Sequence, residues 1–179
     1  MIVEPVSRVV GHIAVPGDKS ISHRAVLIGS ISDGATRVTG FGRSADTEAT
    51  VRAMRALGVS IDEVGHDELR VHGVGLHGLV QPKESIDCAN AGTLVRLLAG
   101  ILAGQEGREF ELAGDASLSG RPMGRIAEPL VRMGAGIEMN DGCLPLGIQG
   151  RPLHAIDYAA AGLGELEEEV QALRFGNRE

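Results

Sequence analysis

The sequence predicts an α+β fold made of two repeated βαβαββ units, with the helices layered against the sheets. The first observation is an internal repeat, in which glycines recur at an offset of roughly 70 to 75 residues, longer than a solenoid repeat. These pairs are Gly29 with Gly100, Gly40 with Gly114, and Gly58 with Gly134. The second observation is that each copy alternates helix-like and strand-like segments and ends in a hairpin pattern.

The first unit starts with a strand at Gly11–Val15, which the Pro16-Gly17 turn ends. A helix follows, and its candidate N-caps are Asp18, Ser20 and Ser22. Its apolar positions are Ala25, Val26, Leu27 and Ile28.

The rest of the first unit is a strand, a second helix and a hairpin. The strand is Thr36–Thr39, and the helix begins at Ser44 or Asp46 and ends at Gly58. The hairpin joins Ser60–Val64 to Leu69–Val74.

The second unit repeats this order. A strand at Ser85–Cys88 leads into a helix capped by Asn90, and a strand follows at Glu109–Leu112. The second helix begins at Arg121-Pro122, with proline at its first position, and ends at Gly134. The hairpin joins Gly136–Met139 to Leu144–Gln149 and turns at Asn140-Asp141-Gly142.

Cations and small residues stand at three of the four helix starts. Lys19 and Arg24 lie at the first start, Gly92 and Arg96 at the third, and Arg121 and Arg125 at the fourth. The helix dipole disfavours cations at this end, so together they indicate a surface that binds an anion such as phosphate or carboxylate. Gly92 would let a ligand approach the backbone closely. Ordinary capping explains any one of these starts taken alone.

Composition excludes several other functions. The net charge of −7 and the near absence of aromatic residues (three Phe, one Tyr, no Trp) argue against nucleic-acid binding. No signal peptide is expected, because the N-terminus carries Glu4 early and lacks a cationic segment followed by an apolar stretch. No membrane span is expected, because Leu94–Leu102 is short and is interrupted by Arg96. A soluble protein of the cytoplasm is therefore expected. Cys88 and Cys143 have no metal-ligand spacing and are expected to be buried free thiols.

Other candidate motifs favour structural roles. The glycine-rich run Gly73–Gly78 opens no helix and is interpreted as a linker rather than a nucleotide loop. The six histidines lack the spacing of a helical zinc motif, so no metal is expected. Only His23 falls within the proposed site, where a positional or solvated role is more probable than catalysis.

Three motifs in order carry a resemblance to a known family. They are Pro16-Gly-Asp-Lys-Ser-Ile-Ser-His-Arg24, Asn90-Ala-Gly-Thr93 with Arg96, and Gly114-Asp-Ala-Ser-Leu-Ser-Gly-Arg-Pro122. With them the chain resembles the enolpyruvyl transferases, specifically the 5-enolpyruvylshikimate-3-phosphate synthase family, over roughly Met1 to Tyr158. The sister family that acts on UDP-N-acetylglucosamine usually has a reactive cysteine near Arg121. The Ser117-Leu-Ser-Gly-Arg121 loop disfavours that alternative.

The resemblance implies transfer of the enolpyruvyl group of phosphoenolpyruvate to the 5-hydroxyl of shikimate 3-phosphate, without metal or organic cofactor. It places Lys19, as the catalytic cation, with Gly92 and Arg121 against phosphoenolpyruvate. It places Ser20 and Arg24 against the shikimate moiety. Asn90, Thr93 and Arg96 are expected to support the site, and Gly92 is where glyphosate-resistant members gain a side chain.

The chain also departs from the family's pattern. Full-length members have two domains of three units each, whereas here only two units are expected, at residues 12–80 and 81–158. Residues 1–11 would belong with the absent C-terminal domain. Residues 159–179 form an acidic non-family tail, predicted as an amphipathic helix that docks on the body. Its apolar positions are Leu163, Leu166, Val170 and Leu173.

Two functions remain open from the sequence. The first is an N-terminal part of the synthase that is inactive alone, binds both substrates weakly at best, and pairs with a complementary C-terminal fragment or forms a homodimer. The second is a non-catalytic folding or assembly module, a truncated or constructed half-domain stabilised by its C-terminal helix.

Overall fold

A computed structural model describes Arg8 and residues 10–158. The first unit contains α1 (Lys19–Ser30), β1 (Asp33–Thr39), α2 (Ala45–Ala56), β2 (Ser60–Gly65) and β3 (Glu68–Val74). The second unit contains β4 (Ile86–Asp87), α3 (Gly92–Ala103), β5 (Glu109–Ala113), α4 (Ala116–Ser119), α5 (Gly124–Arg132), β6 (Gly136–Asn140) and β7 (Cys143–Gln149).

Each unit builds one sheet. The first has the order β1-β3-β2, with both pairs antiparallel. The second has the order β4-β5-β7-β6, in which β4 runs parallel to β5 and the other pairs are antiparallel. This arrangement confirms the α+β class.

The predicted strand at Gly11–Val15 is wrong, because these residues form no ladder and Ile13 and Val15 are 89% and 74% exposed. In the second unit the residue after β4, Cys88, donates its backbone N–H to the Ala113 carbonyl at 2.9 Å. In the first unit Pro16 directly follows the predicted strand and has no N–H, so it cannot donate a bond of this kind.

Two of the predicted helix starts are confirmed and two are wrong. Asp18 caps α1, and Ser44 caps α2 in a reciprocal arrangement with Thr47. Asn90 is not a cap, because Ala91 holds that position without a side-chain bond.

Arg121-Pro122 does not begin the last helix, since α5 starts at Gly124 after Met123. The Met123 side chain is fully buried and its N–H donates to the Gly142 carbonyl at 2.9 Å, so the chain enters the core before it turns helical. The extra short helix α4, capped by Asp115, was not predicted.

Both hairpins are confirmed. The second turns through Asp141 and Gly142, whose φ values of 48° and 76° lie in the left-handed region that two-residue hairpin loops require. Asn140 pairs with Cys143 across this loop.

A single hydrophobic core runs through both units. Leu27, Met54 and Leu69 of the first unit and Leu98 and Leu146 of the second lie fully buried in one cluster. Not all apolar residues of α1 face this core: Val26 and Leu27 are buried in it, whereas Ile28 is 62% exposed. None of the helices within the described ranges is long and apolar enough to cross a membrane. The acidic tail predicted at 159–179 lies outside the described residues.

Candidate functional site

The start of α1 places Lys19 against an acidic residue of α2. The ammonium of Lys19 lies 2.9 Å from Asp46 Oδ2, and the Lys19 side chain remains half-exposed. The cation that the sequence indicated for anion binding is therefore held by a counter-ion from a neighbouring helix. A bound anion would have to share Lys19 with Asp46 or replace it.

Two glycines bring the starts of α1 and α2 together. A Cβ on Gly17 would lie 1.9 Å from the Gly40 carbonyl oxygen, and one on Gly42 would lie 2.3 Å from the Gly17 oxygen. Ser22 links the same segments, since its hydroxyl accepts the Gly42 N–H at 2.9 Å and donates to the Asp18 carbonyl at 2.7 Å. Only glycines permit backbones to pass this closely, so this crossing fixes the separation of Lys19 and Asp46.

His23 is fully buried between these helices, with Nδ1 hydrogen-bonded to Thr50 Oγ1 at 2.6 Å. Its Nε2 has no partner in the described part of the chain. Burial lowers the pKa of His23; Lys19 and Arg24 lower it further, while Asp46 acts in the opposite direction. A buried neutral imidazole agrees with the expected positional role.

The chain before α3 has an unusual backbone at Ala89, whose φ is 49°. Asp87 Oδ1 accepts the Ala89 N–H at 2.8 Å, and Asp115 donates its N–H to the Ala89 carbonyl, also at 2.8 Å. A Cβ on Gly114 would lie 2.9 Å from that same carbonyl oxygen. These contacts hold the segment before α3 against the segment after β5.

Four side chains from these segments and the α4 region form a connected group, the Arg121 group: Arg121, Asn90, Ser117 and Asp115. Arg121 Nη2 donates to Asn90 Oδ1 and lies 3.5 Å from Ser117 Oγ. Asn90 Nδ2 donates in turn to Asp115 Oδ2 at 2.9 Å. Asn90 therefore orients a guanidinium instead of capping a helix.

Gly92 lies directly under this guanidinium. A Cβ on Gly92 would be 3.1 Å from Arg121 Nη1. Within the described part of the chain no side chain caps α3, so its N-cap residue, Ala91, supplies no carboxylate or hydroxyl to the positive end of the dipole. A guanidinium beside an uncapped helix start is an arrangement that suits an anionic group.

The other expected residues belong neither to the Lys19–Asp46 pair, here called the Lys19 group, nor to the Arg121 group. Arg24 is exposed and donates to the Ser20 carbonyl at 3.1 Å, so both stay on the first turns of α1. Thr93 is half-buried and Arg96 exposed on α3. Helices α1 and α3 pack against each other. Among residues 10–158, no hydrogen bond links the Lys19 group to the Arg121 group.

The two cysteines are free, with Cys88 buried and Cys143 half-buried. Burial, aided by Asp87, raises the pKa of the Cys88 thiol to about 12, so it stays a thiol. Within the described ranges no group of three or more potential metal-ligating side chains comes together.

Sequence reasoning missed two site residues, Asp46 and Asp115. Asp46 was considered only as a helix cap, and Asp115 only as part of a motif. Each has a distant partner in the chain: Asp46 contacts Lys19, 27 residues away, and Asp115 contacts Asn90, 25 residues away. One signal was available for Asp115, because the segment 115–120 has the form of a capped helical turn.

Comparisons with known proteins agree with this fold. A family model described as EPSP synthase (3-phosphoshikimate 1-carboxyvinyltransferase) matches residues 3–162. The chain is 54% identical over 158 residues to the 3-phosphoshikimate 1-carboxyvinyltransferase of Acidithiobacillus ferrooxidans, which aligns 88% of this chain with 36% of that protein. Against the enzyme of the same name from Alkalilimnicola ehrlichii, identity is 51%, covering 87% of this chain and 35% of that protein.

A solved structure of EPSP synthase from Acinetobacter baumannii superimposes with a TM-score of 0.80 at 45% identity, covering 84% of this chain and 34% of that chain. The chain thus spans 36% of the length of the first of these relatives. The family model matches most of the chain, and the fold and the ordered motifs agree with it. The chain belongs to the EPSP synthase family.

Proposed function

We propose that this chain is the N-terminal part of a synthase that transfers the enolpyruvyl group of phosphoenolpyruvate to the 5-hydroxyl of shikimate 3-phosphate, and that it is inactive alone. The observation that carries the proposal is the Arg121 guanidinium beside Gly92 at the uncapped start of α3. This arrangement suits the carboxylate or phosphate of phosphoenolpyruvate.

The remaining roles follow from the family. Lys19 would meet phosphoenolpyruvate from the α1 side after leaving Asp46, and Ser20 and Arg24 would contact the shikimate moiety. Thr93 and Arg96 would support the site from α3. These groups supply positive charge where negative charge develops in the reaction, which needs neither a metal nor an organic cofactor.

The apolar surface of the chain supports the proposal that further units pack on it. A groove of about 630 Å³ lies between the two units, beside the exposed side of α3. Leu97 and Ile101 of α3, Leu76 and Ile31 of the first unit, and Leu153 line it. We propose that residues 12–80 and 81–158 are two of three such units and that a complementary C-terminal polypeptide fills this groove. A cytoplasmic location is part of the same proposal.

Phosphate release tests the proposal directly. The chain is assayed with both substrates, alone and with a polypeptide covering the remaining part of the Acidithiobacillus relative. We expect no release above background alone and measurable release from the mixture. A Leu97→Glu variant should fail to be complemented, whereas Val131→Glu, which changes an exposed residue outside the groove, should be complemented normally.

Turnover by the chain alone would show that the remaining part is unnecessary. Calorimetric titration with shikimate 3-phosphate gives a second measure. Weak binding is expected, because full affinity would need the second part of the protein to close over the ligand. Complete absence of binding, with no release from the mixture, would instead favour the non-catalytic module.

A further inference from the structure

We propose that Asp115 is a positioning residue for Arg121 and acts through the amide of Asn90. The inference concerns the orientation of a guanidinium, and only its ligand-binding consequence rests on the proposed function.

The two oxygens of Asp115 have different partners. Oδ1 accepts the Leu118 N–H at 2.8 Å and caps α4. Oδ2 accepts Asn90 Nδ2 at 2.9 Å. The cap fixes the carboxylate relative to α4, so the second oxygen is presented to Asn90 in one place.

An ionised carboxylate can only accept hydrogen bonds, whereas an amide has one end that donates and one that accepts. Asp115 therefore selects the orientation of Asn90 in which Nδ2 faces the carboxylate. The Oδ1 end must then face Arg121, where it accepts from Nη2. In the opposite orientation, an NH₂ group would face the guanidinium, and neither could accept from the other.

A backbone hydrogen bond also fixes the position of Asp115 relative to Asn90. Asp115 donates its N–H to the Ala89 carbonyl, next to Asn90, at 2.8 Å. The segments that carry Asn90 and Asp115 are therefore also joined by a hydrogen bond between their backbones. Changing the side chain of Asp115 alone should release Arg121 without separating the two segments.

The test is Asp115→Asn. Asparagine caps helices as well as aspartate does, so α4 is retained. With its oxygen kept on the Leu118 N–H by the cap, the new NH₂ group stands against the NH₂ of Asn90, so the Asn90 amide must turn or lose this partner. The matched control is Asp18→Asn, which changes another capping carboxylate, bonded to the Ile21 N–H at 2.7 Å, without touching Asn90 or Arg121.

The primary readout is the guanidinium NMR signal of Arg121 in the full chain with ¹⁵N-labelled arginine, assigned with Arg121→Lys. We expect restricted rotation in the wild type and in Asp18→Asn, and averaged signals in Asp115→Asn. Equal restriction in Asp115→Asn would overturn the proposal, as would an unrestricted Arg121 in the wild type. Melting temperatures confirm that each variant is folded.

The double variant Asn90→Asp/Asp115→Asn exchanges the donor and the acceptor of the contact. It should restore restricted rotation, because the new carboxylate at position 90 accepts from both of its neighbours. A purely structural role of Asp115 predicts no such rescue, and failure of the rescue in a folded double variant would count against the relay.

Phosphoenolpyruvate titration measures the consequence for binding. Asp115→Asn should weaken binding about tenfold, the scale of losing one charge-assisted hydrogen bond. In a chain that already carries Arg121→Lys, Asp115→Asn should weaken phosphoenolpyruvate binding less than about twofold, since its effect passes through Arg121. Equal losses in both backgrounds would contradict the inference. A wild-type chain that binds no phosphoenolpyruvate would refute the proposed function, and the NMR measurement would still decide the role of Asp115.

Discussion

Gly92 is the position where a single added methyl group would contact the Arg121 guanidinium of the proposed anion site. The nearest atom to such a methyl group is Arg121 Nη1, at 3.1 Å, followed by Leu118 Cδ1 at 3.8 Å. The first contact is with the end of a flexible side chain, so the chain can relieve it by moving Arg121. The cost then falls on ligand binding rather than on folding.

Gly92→Ala is therefore expected to leave the free energy of unfolding within about 1 kcal/mol of wild type, since alanine also favours the helix. Binding of phosphoenolpyruvate should weaken about tenfold or more, because a displaced guanidinium loses its geometry. Urea unfolding and calorimetric titration measure the two effects. Gly100→Ala on the same helix, where a Cβ meets nothing within 4 Å, is the control and should leave binding unchanged.

His23 gives the α1–α2 contact a dependence on pH. Its pKa is lowered in the folded chain, mainly by burial, with Lys19 and Arg24 adding to the effect and Asp46 opposing it. Below its ordinary value of 6.5 the unfolded chain therefore binds more protons at His23 than the folded chain does. The His23 contribution to stability is present at neutral pH and is lost as the pH falls below that value.

The free energy of unfolding should fall as the pH is lowered from about 7.5 to about 5, and we expect this fall to be smaller in His23→Asn than in the wild type. Asparagine can keep the hydrogen bond to Thr50 while removing the titrating ring. Guanidinium unfolding at several pH values measures the slope. A slope that His23→Asn leaves unchanged would show that other groups cause it.

At the scale of elements, the crossing of the α1 and α2 starts is the tightest backbone contact at the site. Gly17 and Gly42 meet there, and Ser22 bridges the two segments. Because Lys19 follows Gly17 by two residues and Asp46 follows Gly42 by four, the crossing sets the Lys19–Asp46 distance. A side chain at the crossing must separate both helices.

Gly17→Ala should lower the free energy of unfolding by about 2 kcal/mol, the usual cost of inserting a methyl group into a filled space. The obstructing atom is a backbone carbonyl oxygen and cannot rotate away. Chemical denaturation measures the loss. Gly11→Ala, where a Cβ meets nothing within 4 Å, should change stability by less than about 0.5 kcal/mol.

Elements whose signals are local were predicted well from the sequence. The caps Asp18 and Ser44 and the Asp141-Gly142 turn follow from neighbouring residues, and the structure has each of them. The strand before α1 was predicted wrongly, because a strand needs a partner and Pro16 has no N–H to donate to one. The site was only partly predicted, since the Lys19–Asp46 and Asn90–Arg121 contacts join residues 27 and 31 positions apart.

At the scale of the whole molecule, the shared core predicts that the two units fold as one body. Helix α2 contacts β4 as well as α1, and α1 contacts α3. Fully buried leucines occur in both sheets, including Leu69 on β3 and Leu146 on β7. Loss of packing in either sheet should therefore weaken the other.

Leu69→Ala and Leu146→Ala are each expected to cost about 3 kcal/mol and to speed amide hydrogen exchange in both sheets. NMR or mass spectrometry measures the amide exchange rates of the two sheets separately. Ile28→Ala, at an exposed position of α1, should change neither sheet appreciably. Faster exchange confined to the sheet that carries the substitution would show two independent folding units.

Among the described residues the outer edge of β1 has no partner strand, and this open edge has a consequence for how the chain behaves in concentrated solution. Strand β4 covers the corresponding edge in the second sheet, whereas within residues 10–158 only β3 pairs with β1. Open edges recruit strands from other molecules and promote aggregation. Asp33 begins this edge, and Arg37, whose guanidinium is held 2.6 Å from Glu68, adds charge near its centre. We expect these two charged residues to disfavour edge-to-edge aggregation, whereas in the second sheet strand β4 covers the equivalent edge.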